Sequence, residues 1–306
     1  MDFKHIPVLL NETIDGLNIN PCGTYLDGTA GGAGHSFEIA KRLTKGRLIA
    51  LDRDPDAVEV ATERLKGMPA TVVHSNYRDM GQVLEKLNID GVDGILLDIG
   101  VSSFQLDNRE RGFSFHEDSF LDMRMSKDGL TAADIVNSYD VSQLTKILRD
   151  YGEEKFAYKI ALRIDDERKK APIKTTSQLA EIIASAVPAA VRRQGNPSRK
   201  SFQALRIAVN DELGALIDGI EAAWKCLNKN GRLAIITFHS LEDRIVKQKF
   251  KEYATGCICP PDIPICVCGR KPEGVLINNK PIIAGAEELE RNLRSRSAKL
   301  RIIEKK

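Results

Sequence analysis

Residues 24–36, TYLDGTAGGAGHS, decide the fold of this chain. The apolar run that ends in Asp27 predicts a short buried strand, and a helical pattern begins at Ser36. Between them lie four glycines, Gly28, Gly31, Gly32 and Gly34. Glycine lets the backbone adopt positive φ and approach a ligand closely. The stretch therefore predicts a nucleotide-type pocket between a strand and a helix.

A second acidic run, LIALDRD at residues 48–54, follows the glycine loop. Its Asp52 stands 18 residues after Gly34, at the predicted end of the neighbouring strand. An acidic side chain at that place can accept hydrogen bonds from both hydroxyls of a ribose. The pair of signals predicts an adenosine-like ligand, and the alternative is a glycine-rich turn without a ligand.

The loop does not match the two common phosphate-binding patterns. Phe37 stands where a dinucleotide loop has its third glycine, and no Gly-Lys-Ser/Thr follows. A loop flanked by Asp27 and Asp52 suits a ligand that carries positive charge. S-adenosylmethionine, which has a sulfonium, an ammonium and an unmodified ribose, fits this pattern and is the predicted cofactor.

Composition limits the class of protein. The chain has 306 residues, 42% of them hydrophobic and 29% charged, which allows one large domain or two moderate ones. The net charge is only +2, so a nucleic-acid surface must be local. The N-terminus has charges within its apolar run, unlike a signal peptide, and no apolar run has membrane-spanning length. We expect a cytoplasmic protein without a membrane partner.

The first hundred residues alternate between predicted strands and helices. Four β-α units of this kind predict a parallel, doubly wound α/β sheet. Asp27, Asp52 and Asp98 each end a predicted strand, so we expect them around one crevice at the carboxyl edge of the sheet. Tyr77 follows the third strand, where its ring either stacks on an adenine or covers apolar surface.

The alternation stops after Asp98. Predicted helices at 131–137, 142–151, 153–170, 177–186 and 198–209 follow without a convincing strand. The α/β pattern returns with a helix at 211–227, a strand at 231–238, a helix at 241–253, and strands at 275–278 and 298–303. We predict a cofactor-binding domain of residues 1–104 and 210–306, and an inserted helical substrate-recognition domain of residues 105–209.

Three residues are candidates for the chemistry: Asp98, Ser102 and His239. An acceptor after the fourth strand can hold an exocyclic base amine by its N–H and align the nitrogen lone pair with a methyl group. Asp98 has this position, although it can instead bind the amine of the cofactor. His239, at the end of a later strand, is either an acid, base or phosphate contact or a structural residue.

Two basic tracts lack acidic residues and suggest a surface that follows phosphates. They consist of Arg192, Arg193, Arg199, Lys200 and Arg206, and of Arg291, Arg294, Arg296, Lys299 and Arg301. The alternative is an ordinary solvated helix face. The predicted RNA-binding residues are Arg192, Arg193, Arg199, Lys200 and Arg296.

Four cysteines lie close together as Cys257-x-Cys259 and Cys266-x-Cys268. They either form a small zinc site, with spacing tighter than the usual C-x-x-C, or remain reduced thiols in a proline-rich loop.

Several stretches together resemble the MraW family of ribosomal RNA methyltransferases. They are HIPVL (5–9), DGT (27–29), GGAGHS (31–36), ALDRDP (50–55), GILLDIGVSS (94–103), QLD (105–107), RGFSF (111–115), LDMRM (121–125), FQALRIAVN (202–210), FHSLEDR (238–244) and RSAKL (296–300). The resemblance covers essentially the whole chain. It implies a class I, Rossmann-like methyltransferase sheet with an inserted all-helical domain.

The resemblance also implies an activity and a set of contacts. The activity is methylation of the exocyclic N4 of a cytidine in the decoding region of 16S rRNA, within the small ribosomal subunit. The implied cofactor contacts are Ala33, Gly34, His35, Asp52, Tyr77, Asp98 and Gln105. This chain has GAGH and SSFQ where many relatives have RGGH and SSPQ, so the backbone before Gln105 can differ. The alternative function is a non-catalytic RNA-binding assembly factor, and a dimer stays open.

Overall fold

The computed structural model describes residues 7–193, 195–259 and 268–306. The predicted residues His5, Ile6 and Cys266 lie outside this part of the chain. The strands are β1 Thr24–Asp27, β2 Arg47–Asp52, β3 Ala70–His74, β4 Val92–Asp98, β5 Leu227–Thr237, β6 Gly274–Leu276 and β7 Lys299–Lys305. The helices are α1 Leu10–Leu17, α2 Gly34–Ala40, α3 Pro55–Arg64, α4 Met80–Lys86, α5 Ser103–Asp107, α6 Ala132–Ser138, α7 Val141–Gly152, α8 Ala157–Arg168, α9 Thr176–Ala186, α10 Ala189–Arg193, α11 Ser198–Asn210, α12 Glu212–Cys226, α13 Ser240–Ala254 and α14 Ala286–Arg291.

The chain forms two compact units. The first consists of Met1–Gly100 with Gly214–Lys306, and the second of Val101–Leu213. The sequence-based boundaries at 104/105 and 209/210 differ from these by four residues at each junction. All seven strands belong to the first unit, and the second unit begins three residues after β4 ends.

The seven strands form one sheet in the order β3-β2-β1-β4-β5-β7-β6. The five strands from β3 to β5 are parallel, as predicted, with Leu26 beside both Ile49 and Ile95. β7 runs antiparallel to β5 and to β6, a direction that the sequence pattern did not indicate. The predicted class I methyltransferase sheet is confirmed, and β7, which runs against the other six strands, makes it a mixed sheet.

Both faces of the sheet are covered, because successive strand residues point to opposite sides. Leu26 and Ile95 pack with Leu216, Trp224 and Phe250 on one face. The other face buries a second cluster, which includes Tyr25, Leu48, Leu96, Leu17 and Ile39. Strands buried on both sides read as continuous apolar runs, as residues 94–97 (GILL) do. The two layers hold the carboxyl ends of β1, β2 and β4 in fixed positions.

The second unit packs its helices around a separate apolar core. Leu144, Leu148, Ile160, Ile183 and Phe202 are among its buried residues. The predicted helix at 153–170 begins later, at Ala157. The reason is local, because Glu153 takes a left-handed conformation with φ 48° and ends α7.

The motif LDMRM at residues 121–125 is a loop held by two buried side chains of the second unit. Asn210 accepts from Met125 N at 2.8 Å and donates to the Met123 carbonyl at 2.7 Å. Arg111 donates through Nη2 to the carbonyls of Arg124 and Met125, both at 2.9 Å. These bonds satisfy loop carbonyls that no helix or strand supplies with partners.

Within the described residues, none of the helices has both the length and the apolar composition that crossing a bilayer requires.

Candidate active site

The glycine loop turns tightly between β1 and α2. Gly28 N donates to the Leu96 carbonyl at 2.9 Å, and a Cβ on Gly28 would lie 2.5 Å from Leu97 Cδ2. Only glycine allows the loop to pass so close to β4. Gly31 has φ 49° and Ala33 has φ 56°, so the loop uses the left-handed region at two positions. Ala33 adopts the left-handed conformation although it has a side chain, and its methyl group is fully buried.

The segment before α1 lies directly on this loop. A Cβ on Gly34 would be 2.3 Å from Pro7 Cγ, so Gly34 is needed for close packing. His35 Nε2 lies 3.0 Å from the Val8 carbonyl. A carbonyl only accepts, so Nε2 carries a proton and donates this bond. The predicted contacts Gly34 and His35 therefore also fasten the N-terminal segment.

Asp52 ends β2 and holds the glycine loop. Its Oδ2 accepts from Gly31 N at 2.7 Å, and its Oδ1 accepts from Asp54 N at 2.8 Å. Burial raises the pKa of the carboxyl to about 6, against the opposite effect of these two backbone donors. Each oxygen keeps a second lone pair, so the carboxylate can still accept hydroxyl groups of a ribose.

Asp27 ends β1, and both of its carboxylate oxygens accept hydrogen bonds from neighbouring residues. Ser36 Oγ donates to Asp27 Oδ2 at 2.6 Å, and Thr29 N donates to Oδ1 at 3.0 Å. Thr29 Oγ1 in turn accepts from Asp98 N at 2.7 Å. Burial raises the pKa of Asp27 despite these donors. Asp27 is thus a structural carboxylate that fixes the loop and, through Thr29, the end of β4.

Asp98 ends β4, and its carboxylate is the least satisfied of the three. Its Oδ1 is buried without a hydrogen-bond partner among the described residues, and Oδ2 lies 3.7 Å from His35 Nδ1. Burial raises the pKa of Asp98 to about 8, and the nearby carboxylates of Asp27 and Glu242 add to the effect. The side chain is 19% exposed, so a ligand can reach it.

The three strand-end carboxylates make this crevice a place for a cation. Unpaired buried negative charge is costly, and a positively charged ligand would reduce that cost. The orphaned oxygen of Asp98 lacks the donor that an ammonium group would supply. Asp52 keeps acceptor capacity for a ribose at the neighbouring strand end. The residues present therefore fit S-adenosylmethionine.

Tyr77 lies in a short 3₁₀ helix, Tyr77–Asp79, after β3. Its ring packs in the core, where a Cβ on Gly219 of α12 would lie 2.4 Å from Tyr77 Cδ2. A Cβ on Gly28 would lie 2.9 Å from Tyr77 Cβ, so Tyr77 also packs against the glycine loop. In this geometry the Tyr77 ring covers apolar surface, which is one of its two predicted roles. Stacking on an adenine stays a prediction.

His239 and Glu242 form a capping box at the start of α13. His239 Nδ1 accepts from Glu242 N at 3.4 Å, while Glu242 Oε2 accepts from His239 N at 3.2 Å. His239 Nε2 is 2.9 Å from Glu242 Oε1, without hydrogen-bond geometry. Glu242 is fully buried. This arrangement gives His239 the structural role that sequence reasoning offered as its alternative, and a catalytic role stays a prediction.

Ser102 and Gln105 belong to the second unit and pair with each other. Ser102 Oγ accepts from Gln105 N at 3.2 Å, and Gln105 Oε1 accepts from Ser102 N at 3.0 Å. This capping box starts α5, whose second residue is phenylalanine at position 104. Gln105 is buried. Their predicted roles in chemistry and cofactor binding remain predictions.

The structure divides the basic tracts into exposed and paired residues. Arg192, Arg193, Arg199, Lys200 and Arg296 are exposed. Arg206 differs, because its guanidinium bonds both oxygens of buried Glu212 at 2.8 and 2.9 Å. Arg301 and Lys299 likewise bind Asp243, at 2.7 and 3.1 Å. These three residues stabilise the fold and are removed from the predicted phosphate-binding surface.

Sequence reasoning missed two residues that shape the site. Thr29 links β1 to β4, and Glu242 places a buried carboxylate near Asp98. A signal for Glu242 existed, because His-x-x-Glu before an apolar run resembles a capping box. Thr29 had no comparable signal, since its partner is 69 residues away.

The chain matches one family of known proteins over nearly its full length. The sequence profile of the MraW methylase family matches residues 2–306. A relative from Lachnospira eligens, named Ribosomal RNA small subunit methyltransferase H, is 55% identical over 310 residues, which cover 100% of this chain and 98% of the relative. Relatives of the same name from Clostridium botulinum (strain Kyoto) and Symbiobacterium thermophilum are 54% and 51% identical, over 100% of this chain and 100% and 98% of the relative. These matches show that this chain belongs to the MraW methylase family, whose methyl donor is S-adenosylmethionine.

Proposed function

We propose that this chain methylates the exocyclic N4 of a cytidine in the decoding region of 16S rRNA. Membership of the MraW methylase family and relatives named for the small ribosomal subunit support a ribosomal RNA substrate. The proposed recognition of the cytidine amine rests on the carboxylate of Asp98 at the end of β4, whose Oδ1 has no hydrogen-bond partner among the described residues.

An exocyclic amine of cytosine is a weak nucleophile, because its lone pair is delocalised into the ring. An acceptor that takes a hydrogen bond from the amine N–H restores lone-pair density on nitrogen and sets its direction. Asp98 offers such an acceptor, since one oxygen lacks a partner among the described residues and the side chain is one-fifth exposed. The same carboxylate can instead hold the amine of the cofactor, and the two roles give different results in binding experiments.

S-adenosylmethionine, when bound, supplies a methyl group activated by positive sulfur. The protein supplies position and electrostatics: Asp52 would accept the ribose hydroxyls, and the backbone of the glycine loop, which Asp52 holds through Gly31 N, would lie against the cofactor. Asp27 keeps Thr29 in place, and Thr29 holds the backbone of Asp98. Ser102 and His239 remain proposed contributors to orienting the amine. A cytidine inside folded rRNA must also be unstacked to enter the site.

Contact with RNA is proposed for the exposed basic residues. Arg192 and Arg193 close α10, and Arg199 and Lys200 lie in the first turn of α11. Lys200 keeps its position through a bond of Nζ to the Glu153 carbonyl at 3.0 Å. Exposed cations bind phosphates with release of counterions, which makes affinity fall as salt rises. Arg296 of the first unit is proposed to contribute in the same way.

The test is methyl transfer from tritiated S-adenosylmethionine to small ribosomal subunits that lack the modification. The methylated RNA is digested to nucleosides, which are separated and identified by mass spectrometry. N4-methylcytidine is expected. Asp98→Asn is expected to lose this signal by at least about a hundredfold, because the uncharged amide oxygen is a weaker acceptor than a carboxylate when charge develops in the transition state. Asp93→Asn is the matched control, because Asp93 lies at the other end of β4 and binds Thr24 N at 2.8 Å.

Calorimetry of cofactor binding separates the two roles of Asp98. Unchanged affinity in Asp98→Asn assigns the carboxylate to the target amine, whereas lost affinity assigns it to the cofactor amine. RNA binding without any uptake of S-adenosylmethionine by the unmodified chain would refute the enzyme and favour a non-catalytic assembly factor.

The RNA surface has its own test. Replacing Arg192 and Arg193 by glutamine should lower RNA affinity and reduce the salt slope by about two, one for each lost contact. Glutamine at Lys169 and Lys170 is the matched control, because these exposed cations already pair with Asp165 and Glu167. Equal effects in the two double variants would contradict the proposed surface.

A further inference from the structure

Three cysteine side chains of the first unit converge outside the methyl-transfer site. The sulfur atoms of Cys257, Cys259 and Cys268 all lie within 4.8 Å of one another. The Sγ atoms of Cys257 and Cys268 are 3.8 Å apart, although 11 residues separate them in the chain. Neither a helix nor a strand contains them, so regular backbone structure does not explain why they meet.

The distance between the sulfurs of Cys257 and Cys268 matches a tetrahedral metal site. Zinc–thiolate bonds of about 2.3 Å at tetrahedral angles place neighbouring sulfurs about 3.8 Å apart. A disulfide would need about 2.05 Å. An iron–sulfur cluster would spread its cysteine sulfurs further, because inorganic sulfide and several irons lie between them. The observed distance therefore favours a single soft metal ion, and zinc is the common one for thiolates.

The loop that carries the cysteines is closed at its base. Glu273 N donates to the Tyr253 carbonyl at 2.9 Å, and a Cβ on Gly256 would lie 3.0 Å from Pro272 Cδ. Tyr253 stacks on Trp224 with ring centroids 4.2 Å apart. The two chain segments therefore leave the body of the first unit side by side, which brings Cys257 and Cys268 within reach of one ion.

Apolar packing does little to hold the three cysteines in place. Cys257 and Cys268 are exposed, Cys259 is half-buried, and Ile258, next to Cys257 and Cys259, is 60% exposed. Exposed side chains that converge in this way need another source of stability, and metal binding is a usual one. Bonds from one ion to three points of the chain would offset the entropy lost when the loop is ordered.

We propose that Cys257, Cys259 and Cys268 bind one Zn²⁺ as thiolates in a structural site. Each thiol releases one proton as its sulfur bonds the metal, and no electron is transferred. The sequence supplies a fourth thiol at Cys266, which lies outside the described residues. The site is independent of the proposed methyl transfer, since none of its ligands belongs to the candidate active site.

The test measures metal in the full-length chain purified from zinc-containing medium. Elemental analysis of the purified protein by mass spectrometry should find about one zinc ion per chain. Cys257→Ser and Cys268→Ser should each lose it, whereas Cys22→Ser, which removes a cysteine outside the cluster, should keep it. Replacement of zinc by Co²⁺ in the unaltered chain should give thiolate charge-transfer absorption and the intense visible bands of tetrahedral cobalt.

Three results would overturn the proposal, and none of them depends on the folding of a variant or on methyl transfer. One is an unaltered chain that holds no zinc and shows no cobalt–thiolate absorption. Another is a Cys257–Cys268 disulfide in the native chain, found by mass spectrometry of an unreduced digest. X-ray absorption of the zinc form should show sulfur neighbours at about 2.3 Å, and a shell of only nitrogen and oxygen would also contradict the assignment.

Discussion

Replacing Asp98 by asparagine should stabilise the ligand-free protein while it removes methyl transfer. Asp98 is a largely buried carboxyl group whose Oδ1 has no hydrogen-bond partner among the described residues, and two other carboxylates, Asp27 and Glu242, oppose its ionisation. Asparagine has nearly the same shape, keeps an acceptor oxygen and never ionises. The substitution therefore removes an electrostatic cost that the fold bears only because the site needs a negative charge for its ligand.

The magnitude follows from the pKa values of the two states. The carboxyl titrates near 8 in the folded protein and near 3.8 in the unfolded chain. Between these values the unfolded state has lost a proton that the folded state keeps, so wild-type stability falls as pH rises. The slope is about 1.4 kcal/mol per pH unit, which accumulates to at most about 4 kcal/mol at pH 7. Water and side chains rearrange around the charge and reduce this cost. We therefore expect the free energy of unfolding of Asp98→Asn at pH 7 to exceed that of the wild type by about 1–3 kcal/mol.

The assay is urea unfolding of both proteins between pH 5 and pH 8.5. Trp224 is the only tryptophan of the chain and lies in the core of the first unit, so its fluorescence reports that unit. The difference in unfolding free energy between Asp98→Asn and the wild type should grow with pH up to about 8 and vanish at acidic pH. Asp93→Asn, on the same strand, serves as the control and should show no such gain, because its carboxylate already accepts from Thr24 N and Asn228 Nδ2.

Two outcomes would refute this reasoning. If the unfolding free energies of wild type and Asp98→Asn stay parallel across the pH range, Asp98 does not hold a proton in the folded protein. If the substitution destabilises the first unit by more than about 1 kcal/mol at pH 7, the carboxylate makes favourable bonds as an ion.

Three further predictions rest on the same structure. Binding of the cofactor at pH 7 should release up to about 0.9 proton, because a cation beside Asp98 lowers its pKa, and calorimetry in buffers of different ionisation enthalpy measures this number. Gly219→Ala should cost about 1–2 kcal/mol in urea unfolding, because the new methyl group would meet the Tyr77 ring. Arg206→Gln should cost about 3 kcal/mol, because it leaves buried Glu212 without its cation, and urea unfolding followed by circular dichroism measures the loss.

Each of these has a control or a contrary result. Proton release that is absent at pH 7 would contradict a cofactor cation placed beside a protonated Asp98. Gly81→Ala is the control for the glycine substitution, since its Cβ would meet only Cys226 Sγ, at 3.8 Å. A loss below about 1 kcal/mol in Arg206→Gln would show that the pair contributes no more than an exposed one.

Local sequence patterns were enough to predict the parts of the site that depend on short segments. The glycine loop between β1 and α2 follows from the need for close backbone approach, and its acidic neighbours follow from strand ends in a parallel sheet. The parallel order of the first four strands follows from the β-α alternation. The inserted helical segment was visible because strand patterns stop after Asp98 and return after residue 210.

Only the tertiary structure decided which charged groups have partners. It pairs Arg206 with Glu212 and Arg301 with Asp243, places Glu242 beside Asp98, and leaves one oxygen of Asp98 without a partner among the described residues. It also turns β7 antiparallel and brings three cysteine sulfurs together. The physical reason is that burial and electrostatic pairing depend on distances between groups far apart in the chain, and a one-dimensional pattern does not contain those distances.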